Sequence, residues 1–304
     1  MALAESFIAA GGSVYGVGMG AELRPAYMAV EKREDLGKIQ GTCYLQANPG
    51  FVYRDVLERL REGRQILFIG MPCQVSALKL LTKNPPNLYT VDIACFGVPS
   101  RNVLLSVLRD EVASPQEAVS VRFRVKKGGW RHSTTRITLK TGETRDTDNF
   151  VRAFYTKLCM NEACYGCDFK PDARPGDLST GDFWGHRDQE GDGSENGISC
   201  VFANTEKGNF LLEQARPLLE VSPVPESQAL QNGGYNRKDQ KSVSMKERRR
   251  FLLALRENKM SSIIRRYVYS NGSPRRSLRL MGYTYYIPEC LYSAAKALAR
   301  LGKR

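Results

Sequence analysis

Residues 65–100, "QILFIGMPCQVSALKLLTKNPPNLYTVDIACFGVPS", carry the pattern that decides the fold. "QILFIG" (65–70) is a continuous apolar run too short for a buried helix, and it ends in Gly-Met-Pro. "QVSALKLLTK" (74–83) has helical spacing, and "NLYTVDIAC" (87–95) is a second apolar run. After the turn "FGVPS", "NVLLSVLRDEV" (102–112) reads as a further helix. Strand, helix, strand, helix at these lengths describe parallel βαβ units. The stretch also places Cys73 just beyond one expected strand and Cys95 at the end of the next. If those strands are parallel neighbours, both thiols lie at the carboxyl edge of the sheet, where open α/β sheets bind ligands. Cys73 follows Pro72 at a helix start, a position that favours thiolate and lowers a thiol pKa.

Working outward, "GSVYGVGM" (12–19) and "AYMAV" (26–30) read as strands. In "FVYRDVLERLREG" (51–63), Val52, Val56, Leu57 and Leu60 share a helical face, and Gly63 is placed to cap the end. From residue 118 the pattern alternates, and "AVSVRFRV" and "TTRITLKT" form an expected antiparallel pair. A helix over "NFVRAFYTKLC" (149–159) leads into a cysteine loop. "NGISCVFANT" (196–205) and "GNFLLEQARPLL" (208–219) add a strand and a helix, and "QNGGYNRKDQKS" (231–242) is an exposed connection. The expected class is α/β (α+β): a mixed sheet with βαβ units in the N-terminal half, an antiparallel pair and cysteine loop in the middle, and a helical basic C-terminal tail. The expected division is a domain over 1–235, with a βαβ part (1–115) and a cysteine-loop part (116–235), followed by a basic extension over 236–304.

Of the 304 residues, 42% are hydrophobic and 25% charged, as in soluble globular proteins. No run of about 18 apolar residues marks a membrane span. Glu5 stands where a secretion signal carries basic residues. With eight cysteines and no export signal, a reducing, cytoplasmic compartment is expected, where clustered cysteines bind metal or do redox chemistry. The net charge of +13 is unevenly spread: residues 1–235 hold 27 Lys+Arg against 28 Asp+Glu, and residues 236–304 hold 18 against 4. A neutral body argues against a nucleic-acid partner. "KERRRFLLALRENKMSSIIRRYVYS" (246–270) and "PECLYSAAKALARLGKR" (288–304) set Leu and Ile at helical spacing among Arg and Lys. Such a face suits peripheral contact with the inner membrane surface, docking of an acidic ferredoxin, or plain solvation.

"NEACYGCDFKPDARPGDLSTGDFWG" (161–185) supplies Cys164 and Cys167 in a C-x-x-C. Alone, this spacing is as much a turn as a metal or dithiol motif. With Cys73 and Cys95 it makes four thiolates, enough for one tetrahedral zinc or one cubane iron–sulfur cluster. Cys43, Cys200 and Cys290 read as inert core cysteines, and Cys159 as a spare or supporting thiol. Arg124, Lys126 and Lys127 could bind a pyrophosphate or an anionic flavin, or simply end a solvated strand. Trp130 and Trp184 could cover a ring system or anchor loops. Asp182 is a functional carboxylate at a strand end or a turn cap. His132 and His186 read as exposed.

The segments "ILFIGMPCQVSAL", "NLYTVDIACFGVPS", "VRFRVKKGGW", "ACYGCDF" and "DLSTGDFWG" together resemble the coenzyme F420 hydrogenase/dehydrogenase beta-subunit family, including relatives associated with bacterial surface polysaccharides. The resemblance runs from about Leu3 to Lys259. It implies a flavin-dependent electron-transfer oxidoreductase with a 4Fe-4S cluster near an FAD, exchanging electrons with a ferredoxin or a reduced (deaza)flavin. It implies Cys73, Cys95, Cys164 and Cys167 as cluster ligands, and Gln74, Arg124, Lys126, Trp130, Asp182 and Trp184 around the flavin or substrate. Three departures stand out. Phe96 replaces a histidine usual after the second cysteine, and Met71 replaces a threonine before Pro-Cys. Met1 begins just after the point where many relatives carry a ferredoxin-like segment and a Ser-Ser-Gly-Gly turn. The alternative is a zinc- or cluster-stapled interaction subunit without catalysis, and a third reading is a relative that keeps the fold without the flavin.

Overall fold

The computed structural model describes the chain except residues 128, 132, 170–173, 187–193, 231–242, 269–274, 281–282 and 289–304. His132, Cys290 and the 289–304 part of the basic tail lie outside the described residues. The chain groups into two compact units, Met1–Val98 with Glu162–Gln240, and Pro99–Asn161 with Lys241–Arg304. The grouping is discontinuous, whereas the charge profile alone suggests one boundary near 235.

The first unit contains α1 (Ala2–Ala9), β1 (Ser13–Met19), β2 (Pro25–Val30), α2 (Val52–Arg61), β3 (Ile66–Gly70), α3 (Pro72–Thr82) and β4 (Leu88–Ile93). The second holds α4 (Arg101–Glu111), β5 (Ala118–Val125), β6 (Thr134–Leu139), β7 (Thr144–Thr147) and α5 (Asn149–Tyr155). The chain then returns to the first unit for β8 (Leu178–Asp182), β9 (Ser199–Ala203), α6 (Glu206–Ala215) and α7 (Glu226–Ala229). Helices α8 (Met245–Glu257) and α9 (Met260–Tyr267) and a hairpin, β10 (Arg275–Leu280) and β11 (Tyr283–Pro288), belong to the second.

The sheet of the first unit runs β2-β1-β3-β4-β8-β9. β1, β3, β4 and β8 are parallel, and β2 and β9 are antiparallel edges. Both faces are covered, which explains why β3 reads as an unbroken apolar run. Leu67, Val91 and Leu178 pack with Phe7 of α1 and Leu211 of α6. Ile66, Phe68 and Leu88 pack with Val56 and Leu60 of α2 and Val75 and Leu78 of α3. Each such side chain contributes about 1.5–3 kcal/mol when fully buried. Helix α2 ends as the sequence suggests: Gly63 has a φ of +80°, and Arg64 N–H and Gly63 N–H donate to the Arg59 and Leu60 carbonyls at 3.0 and 3.1 Å. These are the two bonds of a Schellman cap.

Helix α4, expected from the sequence as a crossover on the sheet, packs instead within the second unit with α5, α8 and α9. Its apolar residues, Val103, Leu104, Val107 and Leu108, are buried there, as are Phe251 and Leu255 of α8 and Ile263 and Ile264 of α9. The crossover from β4 to the parallel β8 is therefore the whole segment Pro99–Asn161. In the same unit β5-β6-β7 form an antiparallel sheet, with the Phe123 ring 4.7 Å from Phe150 of α5.

This packing uses much of the apolar face of 246–268 within the second unit. Phe251, Leu255, Met260, Ile263 and Ile264 are buried, whereas Leu253, Arg249, Arg250, Arg256, Arg265 and Arg266 are exposed. Among the described residues no helix is long and apolar enough to cross a membrane.

Candidate functional site

Strands β3 and β4 are parallel neighbours, paired from Ile66↔Leu88 to Gly70↔Asp92, and β8 joins β4 in parallel at Val91↔Leu178. Their carboxyl ends therefore open on one edge, where three turns emerge. The β3 turn leads through Met71 and Pro72 into α3 and carries Cys73. The β4 turn carries Cys95 two residues beyond Ile93, held as Ala94 N–H donates to the Thr180 carbonyl at 2.7 Å. The β8 turn carries Asp182, Phe183 and Trp184.

Cys73, Cys164 and Cys167 are electrostatic neighbours. Desolvation is the main influence on the Cys73 thiol and raises its pKa, and Cys167 and Cys164 raise it further. The N–H groups of Gln74 and of Cys73 itself oppose this but do not prevail. The direction is opposite to the lowering expected at this helix start: partial burial first, and then the two neighbouring thiols, outweigh the two N–H donors, even though the residue as a whole is exposed. Cys95, Cys164 and Cys167 are half-buried, and none of the seven described cysteines forms a disulfide. Among the described residues, no three His, Cys, Asp or Glu side chains converge closely enough to hold a single metal ion.

The Cys73 turn is braced by Gln74 together with Tyr27, Ala47 and Tyr53, which the sequence does not single out. Gln74 Oε1 accepts from the Tyr27 hydroxyl at 2.7 Å and from Met71 N–H at 3.4 Å, and Nε2 donates to the Ala47 carbonyl at 3.4 Å. Tyr53 donates to the Gln74 carbonyl at 3.1 Å. Gln74, expected to contact a cofactor, is buried, and its oxygen is already used within the fold. Burial, with Cys73 nearby, pushes the Tyr53 phenol up to about 12 and raises Tyr27 as well.

Asp182 and Trp184 are half-buried at the same edge, joined by Trp184 N–H donating to the Asp182 carbonyl at 3.0 Å. His186, expected to be exposed, is half-buried with its ring 5.8 Å from Phe183. Arg124, Lys126 and Trp130 belong to the second unit. There Arg124 donates to the Trp130 carbonyl at 2.9 Å, and the Arg131 guanidinium lies 4.3 Å over the Trp130 ring. Trp130 is buried, as a loop anchor is, whereas Lys126 is exposed.

Cys200 is buried beside Phe183 and Ala229. Cys43 is half-buried, and burial lifts its thiol to about 11. Cys159 belongs to the second unit, whereas the C-x-x-C pair belongs to the first. It is fully buried, with Sγ 3.5 Å from the Ala153 carbonyl, and desolvation pushes it up to about 12.

Two further carboxylates, on and beside the parallel strands, are buried. Asp92 in β4 pairs with Arg174 and accepts from Gly176 N–H at 2.8 Å. Asp177 accepts from Thr90 N–H and hydroxyl at 2.9 and 2.7 Å and pairs with Lys79 at 3.2 Å. An Asp in an apolar strand is the only sequence signal for such a pair; its partner is not local.

Among solved structures, a chain from the xenon-derivatised F420-reducing [NiFe] hydrogenase complex of Methanosarcina barkeri is similar, with a TM-score of 0.50 and 22% identity over 71% of each chain. That likeness is one of fold. A search of curated proteins finds no match. Residues 63–227 match the family model that describes the carboxy-terminal region of the coenzyme F420 hydrogenase/dehydrogenase beta subunit. With more than half its length matched, the chain belongs to the coenzyme F420 hydrogenase/dehydrogenase beta-subunit family.

Proposed function

We propose that this chain is an electron-transfer subunit of an oxidoreductase, with Cys73, Cys95, Cys164 and Cys167 holding one four-iron cluster. The observation that carries the reading is the parallel pairing of β3 with β4, which brings the strand ends just before Cys73 and Cys95 to one sheet edge, with Cys164 and Cys167 near enough to raise the Cys73 pKa. The donor set fits in its chemistry: four cysteines without disulfides, with Cys164 and Cys167 close enough to Cys73 to raise its pKa. When bound, the cluster supplies one-electron transfer, and an FAD beside it would link such steps to hydride transfer.

The chain's own residues hold and shield this edge. Gln74, braced by Tyr27 and Tyr53, fixes the turn that presents Cys73. Asp182 and Trp184, on the same edge, are the proposed flavin or substrate contacts. Arg124 and Lys126, in the second unit, are proposed anion-binding cations, with Trp130 anchoring their loop, an assignment resting on the family resemblance. An electron-transfer subunit such as a ferredoxin is the proposed partner, in keeping with a structural neighbour taken from a hydrogenase complex. A surface-polysaccharide precursor as the final acceptor rests on the resemblance alone.

Anaerobic purification followed by visible absorption, iron, sulfide, zinc and flavin analysis tests the reading. About four iron and four sulfide per chain are expected, with loss of most of the iron in Cys167→Ser. Colourless protein carrying one zinc per chain would mean a structural staple instead.

A further inference from the structure

After Cys167 the chain returns to the sheet through Arg174–Asp177, and this arm is tied to the last residues of β4 by side chains. The Arg174 guanidinium donates to Asp92 Oδ1 and, at 3.0 Å, to the Ile93 carbonyl, while its Nε lies 3.3 Å from Ser179 Oγ. Gly176 N–H donates to Asp92 Oδ2 at 2.8 Å. Asn204 Nδ2 donates to the Gly176 carbonyl at 2.9 Å and to Ser179 Oγ at 2.8 Å. The Arg174 and Asp92 side chains are 6% and 0% exposed. A Cβ on Gly176 would lie 2.7 Å from Asp92 N and 2.5 Å from the Leu178 carbonyl, so the arm passes β4 at backbone contact.

Strand pairing between β4 and β8 does not require this. Burying an ion pair is costly, and apolar residues of equal volume hold two strands together as well or better. A guanidinium, however, presents donors in a rigid fork. Here the fork reaches three acceptors in one step: a carboxylate, a carbonyl and a hydroxyl. Two of these lie on Asp92 and Ile93, immediately before the turn that carries Cys95. Burial pushes the Asp92 carboxyl up while Arg174 and Gly176 N–H pull it down, as expected for a desolvated, tightly bonded group.

We infer that Arg174 and Asp92 form a clasp that sets the position of the Cys164–Cys167 loop relative to Cys95. They are positioning residues of the thiolate site, so the inference rests on the four-thiolate reading proposed above.

The test compares the full-length wild type, Arg174→Gln, Arg174→Lys and, as a control, Val56→Ala, which opens a cavity in the first unit far along the sequence from the loop. In metal-free protein, bridging of Cys95 to Cys167 by dibromobimane is mapped by mass spectrometry. In reconstituted protein, iron retention against a chelator and the electron paramagnetic resonance spectrum are recorded. Arg174→Gln should reduce the bridge yield severalfold and iron retention about tenfold, in line with residues that orient metal ligands. Arg174→Lys, which keeps the charge but loses the fork, should fall between. It also decides the matter if Arg174→Gln does not fold. Val56→Ala should lower the melting temperature yet leave bridging and spectrum at wild-type values. Absence of the bridge in the wild type, or equal bridging in Arg174→Lys and the wild type, overturns the clasp. Wild-type protein that binds no iron sinks the four-thiolate reading instead, and the bridging arm still judges the clasp.

Discussion

Gly70→Ala probes the link between the sheet and the Cys73 turn. A Cβ at Gly70 would lie 2.4 Å from the Tyr27 hydroxyl and 2.9 Å from Phe68 Cε1. Tyr27 cannot simply step aside, because its ring stacks on Phe68 at 4.8 Å and its hydroxyl bonds Gln74 at 2.7 Å. Overpacking of this kind costs about 1–3 kcal/mol, and the displaced hydrogen bond adds about 1 kcal/mol. Reduced freedom of the unfolded chain returns roughly 0.5–1 kcal/mol. The net is a destabilisation of about 2 kcal/mol, or a melting temperature lower by roughly 4–8 °C for a unit of this size. Tyr27→Phe alone should cost about 1 kcal/mol. It also removes the closest clash, because the next Tyr27 atom, Cζ, is 3.6 Å from the added carbon. The double variant should therefore be more stable than the sum of the singles by roughly 1 kcal/mol, beyond the 0.3–0.5 kcal/mol scatter of independent sites. Urea denaturation of the four proteins completes the cycle. Additive singles, or a Gly70→Ala protein indistinguishable from wild type, would refute the packing argument.

Asp177→Ala should lower stability by about 3–5 kcal/mol in urea melts, since it strands Lys79 and the Thr90 donors around a site only 1% exposed. Arg136 holds the Asp146 carboxyl below its ordinary range through bonds of 2.7 and 2.8 Å. A depressed carboxylate stabilises the fold above its unfolded pKa of about 3.9, and the benefit disappears as pH falls through the folded value. Asp146→Asn should therefore be less stable than wild type near neutrality by no more than about 1 kcal/mol, because the pair is partly exposed, and the gap should close on acidification. Cys167→Ser should lose most bound iron while retaining its far-ultraviolet circular dichroism, since Cys167 is half-buried and lies in a loop.

The parallel strands, α2 and α3 are legible because each encodes its own backbone state: short apolar runs bounded by Gly and Pro, and a repeating apolar face closed by Gly63. β7 is not, because "TRDT" has no apolar alternation and becomes a strand through its pairing with β6. α4 shows the limit of periodicity. Its spacing reveals an apolar face but not what covers it, and the cover comes from α8 and α9 more than a hundred residues later.

The same distinction runs through the site. The sequence alone puts Cys73 and Cys95 at the ends of two expected strands, and the parallel pairing of β3 with β4 brings those ends to one edge. The approach of Cys164 and Cys167 to Cys73, the reversal of its expected pKa, and the use of Gln74 as a brace arise only in the folded chain. Arg174 meets Asp92 across 82 residues, and Tyr27 meets Gln74 across 47. Local patterns specify which segments become strands and helices, because backbone sterics and apolar periodicity act within a few residues. Which buried polar groups satisfy one another depends on the packing that brings distant segments together, and that was decided by the tertiary structure.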